Sequence, residues 1–143
     1  MNGLLDISDL HKAHNMGRDE VILYPVKELK EAGPSYIGVI RFGDGRYFRT
    51  AVYRREKGAF ILFRQTTLKK GEWAKGKADK KDNPRASTLL EQVPVRETKD
   101  TPHYRGAFYF EERIYSVRLW VRTIGTKKVL HLKLTSRPVA EDF

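Results

Sequence analysis

Two runs near the end of the chain, "IYSVRLWVRT" and "VLHLKLTS", alternate apolar and polar residues with a period of two. Side chains on a strand point alternately to its two faces, so this period demands half-buried β-strands and rules out helices there. Short turn sequences, "EER" and "IGTKK", separate these runs from each other and from "HYRGAFYF" before them. Three strands joined this tightly must be antiparallel neighbours.

The same grammar occurs earlier. "SYIGVIRF", "RYFRTAVYRR" and "AFILFRQT" read as strands, punctuated by "GDG" and "EKG". A further strand is expected near Leu89 to Val95, interrupted by Pro94. The two meanders match at one offset: Tyr36 with Tyr104, Gly38 with Gly106, Phe42 with Phe110, Tyr47 with Tyr115 and Arg54 with Arg122. Six or seven strands in two hairpin-rich halves predict a mainly β, antiparallel fold, an OB-like barrel or an open sheet. One or two short helices are expected before it. "DISDLHKAHNM" has Asp6 or Ser8 as N-cap, and "YPVKELKEAGPS" has Pro25 in its first turn and Gly33-Pro34 as its stop.

A chain of 143 residues suits one domain, here residues 1–138 with a tip at 139–143. Residues 68–86, "LKKGEWAKGKADKKDNPRA", are rich in Lys, Gly and Ala and read as a flexible basic loop. The absence of cysteine excludes disulfides and thiolate zinc sites. No apolar run reaches the roughly 18 residues of a membrane helix, and the start lacks a signal-type apolar core. A soluble cytoplasmic protein is expected.

The formal net charge is +10. From Arg41 to Arg85 fourteen Lys or Arg face five acids, an excess of nine, so nearly all the surplus lies in one span. Such a field favours a polyanion, with affinity that falls steeply in salt.

Alternation then divides the faces. Val117, Leu119, Val121, Leu130, Leu132 and Leu134 are core candidates; Ser116, Arg118, Trp120, Arg122, His131 and Lys133 lie opposite them. A Trp between two Arg can stack on a base while the guanidinium groups take phosphate, although packing would explain the same ring. In the first half Tyr47, Arg49 and Tyr53 share a face, against Phe48, Thr50 and Val52. Arg46, Arg54 and Arg64 add charge there, and the loop adds Trp73 among Lys69, Lys70, Lys75 and Lys77. Aromatics interleaved with cations on a sheet favour single strands over duplex. No helix-turn-helix, zipper or finger pattern supplies a major-groove helix.

Enzymatic chemistry finds little footing. The four histidines have no convincing metal spacing, and there is no phosphate loop, nucleophile motif or tuned carboxylate pair. Neither catalysis nor a cofactor is expected.

The chain ends "VAEDF". Glu141-Asp142-Phe143 resembles the acidic tip, closed by a terminal Phe, of phage and bacterial single-stranded-DNA-binding proteins. In that family the tip docks on replication partners and competes with DNA for the basic groove. "DNPRA", "PHYRGAFYF", "IYSVRLWVR" and "KKVLHLKLTSRP" are also similar to a small β-rich family of phages and bacteria, with a fainter likeness to single-stranded-DNA-binding cofactors of lytic phages. These resemblances imply a protein that coats single-stranded DNA with little sequence preference, in replication, recombination or transcription. Coating proteins gain affinity by linking several sites, so a homo-oligomer is expected. The alternatives are RNA binding on the same scaffold, or a protein-interaction module that recruits or inhibits a host complex.

Overall fold

Turn chemistry sets the framework. In the computed structural model, which describes residues 17–26, 33–66 and 84–139, eight strands follow one another, four of their seven connections being tight reversals. They are β1 (Glu20–Pro25), β2 (Tyr36–Arg41), β3 (Tyr47–Arg55), β4 (Gly58–Gln65), β5 (Arg85–Gln92), β6 (Tyr104–Phe110), β7 (Arg113–Ile124) and β8 (Lys127–Pro138). Every strand pairs antiparallel with its neighbours in sequence, and β8 closes on β1. The result is a closed up-and-down barrel that leaves no free edge strand.

The β-rich expectation holds, in its barrel form. Eight strands in sequential order differ from the five-stranded Greek key of an OB fold. Among the described residues the predicted N-terminal helices are not seen. Pro25 is the last residue of a strand, paired with Tyr36, and not the first turn of a helix. A strand end tolerates proline, and barrel closure requires a β1 to bridge β2 and β8. Residues 6–16 and 27–32, where the helices were expected, lie outside the described residues.

Two hairpins show how turn length decides which side chains are buried. Phe42 N–H donates to Arg46 O (2.8 Å) and Gly45 N–H to Phe42 O (2.8 Å), with Gly45 at φ +96°. That is a three-residue loop with a left-handed glycine. The corresponding loop between β6 and β7 has only Glu111 and Glu112, at φ +50° and +65°. One residue fewer shifts the register by one and flips every following side chain. Tyr47 therefore points outward, while its sequence counterpart Tyr115 is buried in the core.

The barrel interior is filled unevenly. At the end bearing these two loops, Phe42 stacks on Phe48 (ring centroids 4.0 Å apart) and Phe108 on Tyr115 (4.9 Å). Phe63 and Phe110 pack edge-on or tilted against the same cluster. Arg46 caps this plug, its guanidinium over Phe48 and Phe110 and ion-paired to Asp44 and Glu111. Leu119, Leu130 and Leu132 continue the core toward the other end, as alternation predicted.

Two seams are narrow. β1 meets β2 through two residue pairs, and β5 meets β6 through two. At each seam a glycine faces a leucine of the preceding strand. A Cβ on Gly38 would lie 2.5 Å from Leu23 Cδ2, and one on Gly106 2.7 Å from Leu90 Cδ2. The Tyr-x-Gly repeat thus marks two equivalent corners, where one strand crosses close over the next.

Candidate nucleic-acid interface

The register places outward residues of neighbouring strands abreast. Arg49 on β3 is opposite Arg64 on β4, and Arg64 is opposite Arg85 on β5. Directly opposed residues on adjacent strands stand about 5 Å apart, so three guanidinium groups share one short row. Neither β3 nor β4 contains an acidic residue. Like charges abreast are unfavourable by themselves, and an anion shared by the row reverses the sign.

Along the same face come Ala51, Leu62 and Ser87, and then Tyr53, Phe60 and Leu89. The last row is apolar and partly open, with Leu89 66% exposed. Arg55 lies over both rings, 5.7 Å from the centre of Tyr53 and 5.6 Å from that of Phe60. Beside Arg49, Tyr47 carries Arg41 over its ring at 5.8 Å. A cationic row and an aromatic row four residues apart on β3 are separated by about 13 Å. This face offers phosphate contacts at one level and stacking at the next.

The basic segment 68–86 was expected to be irregular, but Arg85 and Ala86 already belong to β5. The segment leaves and rejoins the barrel beside the arginine row. Gln65 N–H donates to Pro84 O (2.8 Å) and Thr66 N–H to Tyr47 O (3.0 Å). Lys69, Lys70, Trp73, Lys75 and Lys77 lie outside the described residues, as do Glu141, Asp142 and Phe143.

A second basic row crosses β6, β7 and β8 as Arg105, Arg118 and Lys133. It is flanked by Glu91 at one end and Glu20 at the other, which dilutes its field. Trp120 neighbours it but is no surface platform. The ring is 7% exposed, and its Nε1–H donates to Asp100 O at 2.9 Å. Arg118 and Arg122 themselves cover it, at 5.7 and 5.4 Å, with the His131 ring 5.2 Å away. Packing under the 93–103 connection, rather than stacking on a base, accounts for this tryptophan.

Around it runs a polar chain. Arg122 Nε–H donates to His131 Nδ1 (3.1 Å), which leaves Nε2–H to donate to Glu20 Oε2 (2.5 Å). His131 is a structural link here, 9% exposed. His103 Nδ1 accepts from Val121 N–H (3.0 Å), and its pKa is lowered, chiefly by burial and then by Arg96 and Arg122.

The remaining expected cations separate. Arg46 is committed to Asp44, Glu111 and Gln65 at the plugged end, and Glu111 in particular raises its pKa. Arg54 is at the opposite, open end of β3, on the inward side. Arg85, Phe60 and Leu89 were not anticipated. Alternation in "AFILFRQT" groups Phe60 with Arg64, but only the register brings Arg85 and Leu89 alongside. Among the described residues no three His, Asp or Glu cluster to hold a metal, and no helix is long and apolar enough to cross a membrane. Compared with known protein families, with curated proteins and with solved structures, the chain matches none.

Proposed function

We propose that this protein binds single-stranded DNA with little sequence preference, without catalysis, on the outer face of β3, β4 and β5. The observation that carries the reading is the Arg49–Arg64–Arg85 row, of whose three strands β3 and β4 carry no acid, followed by the Tyr53–Phe60–Leu89 row. Backbone phosphates neutralise the arginines, and bases stack on the rings or on the guanidinium planes above them. Lys69, Lys70, Lys75, Lys77 and Trp73, in the chain between β4 and β5, contribute further contacts to the DNA strand. Glu141-Asp142-Phe143 recruits a replication or transcription protein, and several copies coat one strand.

The test is fluorescence anisotropy of labelled oligo-dT across a salt series, with duplex DNA and RNA of matched length alongside. Tight oligo-dT binding, weak duplex binding and a steep log–log salt slope support the reading. Replacing Arg49, Arg64 and Arg85 together with Gln reduces that slope by about 2, since each single-strand phosphate contact contributes about 0.7. An unchanged slope in the folded triple variant removes this face from the interface. RNA bound as tightly as DNA widens the ligand class. Binding to neither turns the basic face toward an acidic protein partner.

A further inference from the structure

The two ends of the barrel are built differently. One is plugged by six aromatic rings; the other opens into a cavity of about 480 Å³. That size is within the range of small-molecule sites. Val52, Leu119 and Leu130 form an apolar floor. Tyr36 and Tyr104 stand on β2 and β6, four strands apart in a ring of eight, and so on opposite walls. The rim carries Arg54, Arg55 and Lys128 against a single acid, Glu56.

Arg54 and Lys128 occupy inward-facing positions, where the interior pattern elsewhere places Val52 and Leu130. Two exposed cations thus close over an apolar, tyrosine-walled cup. A ligand that fits has a flat, weakly polar ring and a compact negative group at one end. Arg55 joins this rim to the outer face, because its guanidinium also lies over Tyr53 and Phe60.

We infer that the open end of the barrel is a nucleoside-phosphate site, the base entering between Tyr36 and Tyr104 and the phosphate meeting Arg54, Arg55 and Lys128. The inference rests on the nucleic-acid reading above and extends it from the strand's interior to its end. A strand on the arginine row, crossing Tyr53 and Phe60, reaches the rim over Arg55 and places its terminal nucleotide in the cup.

The probes are thymidine 5′-monophosphate, thymidine, oligo-dT bearing a 5′-phosphate, a 3′-phosphate or hydroxyl ends, and circular single-stranded DNA, which has no end. Calorimetry is expected to show saturable binding of the monophosphate and much weaker binding of thymidine. A phosphorylated end is expected to bind more tightly than a hydroxyl end. Arg54→Gln with Lys128→Gln changes only exposed rim residues, so the fold is retained. It weakens the monophosphate about tenfold and abolishes the end preference, while circular DNA binds as before.

No binding of the monophosphate, together with equal affinity for all ends, overturns the site and leaves the outer-face reading intact if circular DNA still binds. Monophosphate binding without an end preference assigns the cup to free nucleotides. Loss of circular-DNA binding with the monophosphate retained keeps the cup and rejects the face.

Discussion

At the scale of single residues, burial and partner atoms decide what each titratable group does. His103 must be neutral at Nδ1 to accept from Val121 N–H, and its folded pKa lies below the ordinary value of 6.5. For a depressed histidine, stability is complete above the unfolded pKa and declines as pH falls below it. Thermal melts between pH 7 and pH 5 are therefore expected to show a falling Tm, and His103→Gln to flatten that slope. Asp19 has the opposite sign. Burial is the main cause that raises its pKa, so the ionised carboxylate costs stability once pH rises above the unfolded value near 3.8. Its backbone sits at φ +63°, where Asn is well tolerated, and Oδ1 only accepts from Gly43 N–H (2.9 Å). Asp19→Asn is expected to raise Tm at pH 7 and to lose that advantage near pH 3. An unchanged difference across this range would assign the effect to backbone conformation alone.

At the scale of elements, turns and close approaches carry the strain. Glu112 holds a left-handed conformation that costs a non-glycine residue about 1–2 kcal/mol. Glu112→Gly relieves it, and after the entropy of a new glycine a gain of about 0.5–1 kcal/mol is expected in chemical denaturation. Glu111 in the same turn is better left, because it pairs with Arg46 over the aromatic plug. Gly58 is the reverse case. A Cβ there would meet the Leu90 carbonyl oxygen, a backbone atom, at 2.1 Å between β4 and β5. Gly58→Ala is expected to lose about 2–3 kcal/mol, with disturbance of the strand that carries Arg64. A melting curve superimposable on the parent's would show that this seam yields easily.

At the scale of the molecule, the eight-strand ring decides which half of the positive charge can act together. Trp120→Phe separates packing from binding. It leaves Asp100 O without its indole donor, which lowers stability by about 1 kcal/mol, while oligo-dT affinity is expected to be unchanged. A large affinity loss in the folded variant would return Trp120 to the interface and shift attention to the Arg105–Arg118–Lys133 row.

The chain by itself determined β2, β3, β4, β6, β7 and β8, the short reversals within their hairpins and the inward residues of β7 and β8, whereas β5 begins four residues before the expected Leu89 and stops at Gln92, short of Val95. The reason is local: a period of two and turn residues act within a few positions. It also determined that charge concentrates between Arg41 and Arg85, which is composition. The structure alone decided the rest. "EVILYP" holds a short apolar run of β-prone residues, which periodicity alone does not tell from the start of a helix, and its pairing with Lys133, Leu132, His131 and Leu130 makes it a strand. Tyr47 and Tyr115 look equivalent in the chain, yet one fewer turn residue sends them to opposite faces. Trp120 reads as an outward ring, and a loop some twenty residues earlier covers it. Arg49, Arg64 and Arg85 are far apart along the chain, and register, a property of paired strands rather than of any one of them, sets them side by side.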